Sequence, residues 1–483
     1  MENKKLNLML RPVAVLMALV LTLSCFATAS AQGLTADQWE SYYSQAADAS
    51  RGIIMQPGAT ESERNFSWYM TEPSEYCRVS LSQNPDMSAS IDFDGEIIST
   101  YQGDSAAKVT VSGIEAGTTY YYVCKSEGYQ SEVYSFTAPN ADSFTAMYVT
   151  DIHISGEKDD LQSVKQDAYT FNNIIAQAKQ NAAQQGRDIS MLLSAGDQAS
   201  RGYRSEYTGL TSTPEIKSMM FATTIGNHDR KGVDYKFFNN VPNEYIGKLS
   251  SYQGGDYWYR QGNVLFMVID SNNTSGLDHR SFVSKTVAAN SDAKWRIVMM
   301  HHDLWGQAIP HRESENQLLR LLWTGLIDEF NIDLVLLGHS HYYSVSDVMY
   351  NRKSVAPIEN SGTLTDAQGT IYMVSSSLTR PRDIEGEIPY GENISIGALS
   401  DTATIYNLLD FNGDEISVRS YCYEDNSMFA SFTLQKTEEN TPVKISFFRT
   451  ILAKLAELLG SIVALFNNSG NVKDLKKAGY LGI

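Results

Sequence analysis

Cysteine is scarce in this chain of 483 residues, and none of its four cysteines stands in the paired spacing of a structural zinc site. Four cysteines are too few for a disulfide framework, and their spacing excludes a structural zinc site of paired cysteines. Basic residues are also few, because 38 lysines and arginines face 56 aspartates and glutamates, for a net charge of −18. Basic contacts to phosphates supply most nucleic-acid affinity, so we expect no DNA or RNA scaffold as a partner. The 42% hydrophobic and 19% charged content is that of a globular protein.

The first 31 residues have the pattern of an export signal. Three basic residues precede an apolar run at 13–23, and small residues follow at 29–31. We expect residues 1–31 to be a signal peptide and the mature protein to be secreted or held at the cell surface. An uncleaved anchor and a lipoprotein attached at Cys25 are the alternatives, although the apolar run is shorter than the roughly 20 residues of a membrane span.

Residues 33–139 show short β-rich runs separated by turn residues, which is typical of an all-β sandwich. The predicted strands are 65–70, 76–81, 108–111, 118–123 and 133–137. Cys77 and Cys124 fall in two strands that would be neighbours in such a sandwich. An exported disulfide and two buried thiols are both compatible with this placement.

Residues 142–435 have a different pattern, in which apolar runs alternate with helical stretches. This pattern predicts an α/β domain whose mostly parallel or mixed sheet is buried between layers. The predicted strands are 144–149, 189–193, 219–224, 264–269, 295–300, 332–337 and 371–374. The fold class is therefore α/β, with a β-sheet sandwich flanked by helices and preceded by the small all-β domain.

Metal-capable side chains follow five of these apolar runs, and six of the eight histidines belong to them. The clusters are Asp151-Ile152-His153, Gly196-Asp197, Gly226-Asn227-His228-Asp229, His301-His302 and Gly338-His339-Ser340-His341. Ligands of open α/β sheets gather beyond the carboxyl ends of strands, so the five clusters can converge on one crevice. Such side chains suit two cations about 3.5 to 4 Å apart, which clamp the oxygens of a displacement at phosphorus. The glycines allow close approach of the backbone.

The order DxH, GD, GNH[DE], a late His and GHxH resembles the calcineurin-like metallophosphoesterase superfamily over about residues 142–435. The resemblance implies seven ligands: Asp151, His153 and His341 for one metal, Asn227, His301 and His339 for the other, and Asp197 for both. It also implies that His228 faces the substrate, where it stabilises the phosphoryl oxygens or protonates the leaving group, with Asp229 orienting it. Asn227 would also contact the substrate.

Within this superfamily the chain is most similar to the purple acid phosphatases, which have a fibronectin type III-like domain before the catalytic one. His311 stands ten residues after His301, where that branch often has a substrate-facing histidine. Ser200 stands three residues after Asp197, where the branch has an iron-binding tyrosine, and His153 can take over that ligand position. We therefore expect no iron–tyrosinate colour, and two divalent or trivalent ions drawn from zinc, iron and manganese.

The expected reaction is hydrolysis of a phosphomonoester by a metal-bound hydroxide. The substrate would be a phosphorylated small molecule. A phosphodiesterase or nucleotide hydrolase is the alternative, because the same metal site serves all of them. A surface binding or adhesion protein with a non-catalytic metal site is the alternative from another class. The oligomeric state stays open.

The tail, residues 442–483, is predicted to form an amphipathic helix. Apolar residues recur at helical spacing between 448 and 466, after Pro442 at a helix start. Arg449, Lys454 and Glu457 interrupt any membrane-spanning run. Three interpretations stay open: the helix covers an apolar strip of its own protein, contacts a membrane surface through residues 442–466, or binds a partner.

Overall fold

The computed structural model describes residues 33–101, 103–155, 161–305, 313–381, 393–397, 403–437 and 451–465. The predicted signal segment, residues 1–31, lies outside the described residues, and so does His311. The predictions made for them therefore stay predictions.

The N-terminal part is a sandwich of two antiparallel sheets. Its strands are β1 (Ile54–Pro57), β2 (Glu63–Met70), β3 (Cys77–Ser82), β4 (Ile91–Asp94), β5 (Glu96–Ser99), β6 (Ser105–Ser112), β7 (Thr119–Ser126), β8 (Tyr129–Gln130) and β9 (Tyr134–Thr137). One sheet has the order β1-β2-β6-β5, and the other β4-β3-β7-β8 with β9 also paired to β7. Aromatic side chains such as Phe66, Trp68 and Tyr122 fill the space between the sheets. Cys77 and Cys124 lie on neighbouring strands as buried free thiols, so the structure agrees with the thiol alternative.

Sixteen strands of the described residues form the α/β domain. They are β10 (Ser143–Val149), β11 (Ile189–Ser194), β12 (Met220–Thr223), β13 (Tyr257–Gln261), β14 (Val264–Ile269), β15 (Trp295–Met300), β16 (Leu334–Leu337), β17 (Ser344–Ser346), β18 (Val348–Tyr350), β19 (Lys353–Ala356), β20 (Gly362–Thr365), β21 (Ile371–Val374), β22 (Ile394–Ile396), β23 (Ile405–Asn412), β24 (Glu415–Cys422) and β25 (Met428–Gln435). One sheet has the order β12-β11-β10-β23-β24-β25-β20, and the other β13-β14-β15-β16-β21-β17-β22. Strands β10 to β12 are parallel, as are β14, β15, β16 and β21, which confirms the mixed sheet.

Helices cover the outer faces of both sheets. They are α1 (Ala36–Ser50), α2 (Leu161–Gln184), α3 (Arg204–Ser212), α4 (Tyr235–Phe238), α5 (Gly276–Ala289), α6 (Glu313–Glu329) and α7 (451–465). Helices α2 and α3 pack on the outer face of the first sheet, and α5 and α6 on that of the second. The inner faces of the two sheets share one apolar core. The predicted fold class, a sheet sandwich flanked by helices, is therefore confirmed.

Helix α1 lies on the α/β domain, although the expected boundary at 33–139 assigned it to the sandwich. Trp39 Nε1 donates to the carbonyl of Lys165 at 3.0 Å, and the Tyr42 hydroxyl donates to the carbonyl of Ser212 at 2.8 Å. Trp39 and Tyr43 are buried in the cluster that contains α2 and α3. These aromatic side chains therefore pack α1 against the helices of the α/β domain, and the boundary at 33–139 stays a prediction.

The two domains are joined through Arg204, the first residue of α3. Its guanidinium pairs with Asp104 of the sandwich and with Asp234 of the α/β domain, and lies 4.2 Å from the centre of the Tyr69 ring. An arginine between two carboxylates and an aromatic face is held by directed contacts. Arg204 therefore stabilises the contact between the two domains.

Candidate metal centre

The five predicted clusters converge at the carboxyl ends of β10, β11, β12, β15 and β16, and both sheets contribute. Three groups of three residues could each hold a metal ion, because within each group the ligand atoms lie within 4.8 Å of one another. The groups are Asp151, His153 and His341; His153, Asp197 and His228; and Asp151, Asp197 and His301. The groups share residues, so they form one continuous cluster. The two sheets thus meet at a single site made of residues far apart in sequence.

Five of the seven predicted ligands have a backbone in the left-handed region. The φ angles are 48° at Asp151, 51° at His153, 53° at Asp197, 71° at His339 and 63° at His341. Non-glycine residues adopt this region rarely and at an energetic cost, and such strain concentrates at functional sites. The strained turns aim the ligand side chains back toward the ends of the strands.

Glycines before the ligands allow close approach, as the sequence predicts. A Cβ on Gly196 would lie 2.5 Å from Nδ1 of His301, and one on Gly226 would lie 2.7 Å from Cγ of Asp197 and closer to its Oδ1. A Cβ on Gly338 would overlap Thr150, beside Asp151. Any side chain at these three positions would therefore push a ligand out of place.

The first half of the centre is built around Asp151, which is fully buried. Its Oδ1 lies 3.1 Å from Nε2 of His341 and 3.6 Å from Nε2 of His153, and these two nitrogens are 3.1 Å apart. Its Oδ2 accepts hydrogen bonds from the Thr150 hydroxyl and the His339 amide, each at 2.8 Å. Within the described residues Oδ1 has no hydrogen-bond partner. A buried carboxylate oxygen facing two imidazole nitrogens fits a cation, which would satisfy all three atoms.

The second half is built around Asn227 and Asp197. Oδ1 of Asn227 lies 3.0 Å from Nε2 of His301 and 3.0 Å from Nδ1 of His339. Oδ2 of Asp197 lies 3.3 Å from Nε2 of His301 and 3.7 Å from Nε2 of His153. Asp197 thus faces both halves, which is the position of a bridging carboxylate.

Backbone carbonyls orient two of the imidazoles. Nδ1 of His301 lies 2.9 Å from the carbonyl of Ala195, and Nδ1 of His341 lies 2.9 Å from that of Arg380. Each carbonyl accepts a hydrogen bond from Nδ1, which leaves Nε2 facing the centre. The sequence carries no signal for these carbonyls, because every residue has one.

The electrostatics of the cluster favour positive charge. Burial lowers the pKa of His301, but the Asp197 carboxylate, Asp151 and the Ala195 carbonyl outweigh burial and raise that pKa to about 9. Burial would raise the pKa of Asp151, but His341 and the neighbouring imidazoles hold it well below its ordinary value. The field made by the carboxylates is therefore one that would bind cations.

His228 is half-buried beside the cluster, and its ring lies 4.8 Å from that of His153. Its Nδ1 is 2.7 Å from the carbonyl of Ser200 and 2.9 Å from Nζ of Lys231. Burial lowers the pKa of His228 to about 4, although the Asp197 carboxylate opposes this. The imidazole is therefore neutral near pH 7. Sequence reasoning missed Lys231, which the spacing of three residues on one turn indicates.

Asp229 does not take the predicted position against the imidazole of His228. Its carboxylate accepts hydrogen bonds from the amides of Gly226, Ala199 and Gln198 at 3.0, 3.1 and 3.3 Å, and from the Tyr207 hydroxyl at 3.0 Å. Burial is the main reason that its pKa is raised to about 7. Asp229 links the loop that carries Asp197 to the loop that carries Asn227. Its carboxylate accepts hydrogen bonds from backbone amides that the turns of these loops leave without a carbonyl partner.

Ser200 and His302 both lie beside predicted ligands. The Ser200 hydroxyl is 3.5 Å from Nδ1 of His153 and donates to the His153 carbonyl at 3.2 Å, so serine stands beside the ring that reaches the centre. Nδ1 of His302 lies 2.8 Å from the Ser271 hydroxyl, so His302 is hydrogen-bonded next to the predicted ligand His301.

Comparison with known proteins finds two families in succession along the chain. Residues 144–343 match the calcineurin-like phosphoesterases, and residues 50–138 match the N-terminal domain of purple acid phosphatases. Purple acid phosphatase PPD1 from seeds of yellow lupin (Lupinus luteus) is similar in structure, with a TM-score of 0.64 and 14% identity over 82% of this chain and 77% of its own. PhoD has a TM-score of 0.52 and 13% identity over 86% of this chain and 98% of its own. No curated protein sequence matches. At these identities the two structures show a shared fold.

Proposed function

Because the chain carries a calcineurin-like phosphoesterase domain preceded by a purple acid phosphatase N-terminal domain, we propose that it is an exported phosphatase with two metal ions. It is a metallophosphoesterase by its domains. The export, the preference for phosphomonoesters and the small-molecule substrate are the proposed parts. One observation carries the proposal: the buried Oδ1 of Asp151 has no hydrogen-bond partner in the described residues, and Asp197 next to it faces imidazoles on both sides.

The donor set fits two transition-metal ions. Three carboxylate or amide oxygens and four imidazole nitrogens suit zinc, iron or manganese better than calcium. Asp151, His153 and His341 would hold one ion, Asn227, His301 and His339 the other, and Asp197 both. When bound, such ions lower the pKa of a water molecule and neutralise charge on the phosphoryl oxygens.

His228 is the proposed hydrogen-bond donor to the phosphoryl group of the substrate. An ammonium group can only donate, so the contact from Lys231 requires a lone pair on Nδ1 of His228 and places the single ring proton on Nε2. Nε2 is on the opposite side of the ring, where its N–H can donate a hydrogen bond to a phosphoryl oxygen. The contact with the Ser200 carbonyl requires the other tautomer, in which Nε2 carries no proton. Lys231 therefore favours the tautomer whose Nε2 can donate, and the Ser200 carbonyl favours the other.

One backbone hydrogen bond links His228 to the predicted metal ligands. The amide of His228 donates to Oδ1 of Asp197 at 2.7 Å, which leaves Oδ2 of Asp197 facing His301 and His153. The neighbouring Asn227 presents its oxygen to His301 and His339. His228 is thus adjacent in sequence to the predicted ligand Asn227 and hydrogen-bonded to Asp197, so its position relative to the cluster is fixed before substrate arrives.

The test is a set of initial rates with the mature chain, loaded separately with zinc, manganese and iron. The substrates are 4-nitrophenyl phosphate and its bis-ester, and bound metal is measured in each sample. We expect the monoester to be preferred. Asn227→Ala should lower the rate by at least about 100-fold, since it removes a proposed metal ligand that lies between His301 and His339. Asn360→Ala, at an exposed position, serves as the control.

Each other outcome contradicts a named part of the proposal. Preference for the bis-ester would make the protein a phosphodiesterase. Two bound metals without turnover of either ester would favour a binding or adhesion protein. Export is tested by expressing residues 1–483 and sequencing the N-terminus of the exported product, which we expect to begin at Gln32.

A further inference from the structure

Helix α7 turns its small and polar residues toward the protein and its large apolar residues toward solvent. Seven leucines and isoleucines between positions 451 and 465 are 40% to 64% exposed, among them Leu452 at 64%, Leu455 at 57% and Leu465 at 59%. Ala456, Glu457 and the small residues at 460–461 are buried. The apolar stripe predicted from the sequence is therefore real, but it does not cover the protein's own surface.

A buried ion pair fixes this orientation. The Glu457 carboxylate, 1% exposed, accepts two hydrogen bonds from Arg280 of α5, each at 2.6 Å. Arg280 also pairs with Glu329 at the end of α6. Rotating α7 to bury its leucines would leave the Glu457 charge unpaired inside the protein, which is strongly unfavourable.

The contact face also lacks room for large side chains. The Thr274 hydroxyl donates to the carbonyl of Gly460 at 3.1 Å, and the hydroxyls of Ser275 and Ser461 are 3.1 Å apart. A Cβ on Gly276 would lie 2.6 Å from Cα of Glu457. The seam between α5 and α7 is thus so close that only small residues fit, and the apolar face is left outside.

The charge of this part of the chain indicates what covers that face. Residues 442–483 contain six lysines and arginines and two acidic residues, one of which is the paired Glu457, in a protein whose net charge is −18. A basic segment around an exposed apolar helix face complements an anionic lipid surface, where apolar burial and attraction to lipid phosphates act together. A second copy of the helix would bring like charge against like charge. In the described part of the chain no helix is long and apolar enough to cross a bilayer.

We propose that α7 is an interfacial helix that binds the mature protein to the surface of membranes rich in anionic phospholipid. Its exposed leucines and isoleucines lie in the boundary between headgroups and acyl chains, parallel to the membrane. The basic residues of 442–483 contact the lipid phosphates. This inference does not depend on the proposed hydrolysis.

The test is flotation of the mature full-length protein with vesicles of phosphatidylcholine alone and of an equal mixture with phosphatidylglycerol. We expect binding to the mixture to exceed binding to phosphatidylcholine by at least about tenfold. The triple variant Leu455→Gln, Leu458→Gln, Ile462→Gln should lose at least about tenfold of this binding. A matched control changes three residues of similar exposure elsewhere: Leu161→Gln, Ile246→Gln and Val355→Gln.

A second variant separates charge from apolar burial. Replacing Lys473, Lys476 and Lys477 by glutamine should remove most of the preference for the anionic mixture and leave binding to phosphatidylcholine unchanged. Thermal unfolding of every variant verifies that the fold is intact. Equal flotation of the wild type and the α7 triple variant would overturn the proposal. The proposal would also be overturned if the wild type failed to float and formed a dimer that the α7 triple variant did not form. The apolar face would then bind a second copy of the chain.

Discussion

Replacing Gly226 with alanine is expected to disable the metal centre while the protein stays folded. The backbone of Gly226 lies outside the left-handed region, so alanine meets no conformational penalty there. Its Cβ, however, would lie 2.7 Å from Cγ of Asp197 and closer still to Oδ1, whereas ordinary contact begins at 3.4 Å. The effect of the substitution is therefore steric, and it falls on the side chain of Asp197, the proposed bridging carboxylate, and on the backbone nitrogen of the same residue.

The structure gives the size of the effect. Cγ of Asp197 must retreat by at least about 0.7 Å, the difference between the two distances, while productive sites tolerate about 0.5 Å. A displacement near 1 Å costs about 100-fold in rate. We expect kcat/KM to fall by about that factor and the bound metal to fall below two ions. Overpacking costs about 1–3 kcal/mol of stability, less than the total for a typical domain.

The assay compares bound metal, monoester hydrolysis and thermal unfolding in Gly226→Ala and in a control, Gly128→Ala. Gly128 has a φ of 69°, and no atom lies within 4 Å of the position that an alanine methyl group would take, so alanine there adds only backbone strain of about 1–2 kcal/mol. The control should keep its metal and its rate. Wild-type metal content and rate in a folded Gly226→Ala protein would refute the steric argument.

Three further outcomes are expected. Lys231→Met should lower kcat by about tenfold with KM little changed, since His228 loses the contact that places its proton on Nε2, and Lys231→Arg should restore most of the rate; a change in KM alone would contradict this. Asp229→Asn should lower the free energy of unfolding in urea by about 1–3 kcal/mol, because the amide cannot accept every backbone bond that the carboxylate accepts; an unchanged midpoint would contradict it. Burial lowers the pKa of His279, but Asp256 outweighs burial and raises it to about 9. This value is above the ordinary 6.5, so the stabilisation is complete below about pH 6.5 and is lost as the pH rises through about 9. We expect His279→Gln to lower the free energy of unfolding by about 1–3 kcal/mol at low pH. In urea titrations this loss should shrink as the pH rises over that range, and a loss that stays constant would exclude a charged pair of His279 and Asp256.

The strands that the sequence predicts best are those buried on both faces. β14, β15 and β21 have the bounds that the apolar runs predict, because a strand covered by layers on both sides is apolar throughout. β4 and β5 were not predicted. They are largely exposed, and short exposed strands carry neither a continuous apolar run nor a clear alternation.

The clustering of the predicted ligands could be predicted because their side chains are chemically distinctive and stand in a fixed order. The groups that orient them could not be predicted. The carbonyls of Ala195 and Arg380 act through the backbone, and the position of Asp229 depends on which loop amides lack partners. The helical spacing of apolar residues at 448–466 likewise predicts that an apolar face exists. Whether that face is buried was decided by the Glu457 ion pair with a residue 177 positions away.

Hydrogen bonds between neighbouring loops explain why the predicted ligands keep unfavourable backbone angles. The amide of Asp151 donates to the carbonyl of Gly196, and that of His153 to the carbonyl of Asp197, each at 2.9 Å. The amide of Gly338 donates to the carbonyl of His301 at 2.9 Å, which links the loops of the second sheet. These bonds tie each strained turn to its neighbour, so that no ligand can relax alone. Hydrogen bonds between neighbouring loops of each sheet therefore hold the strained turns, and the positions of the predicted ligands are set by the fold before any cation binds.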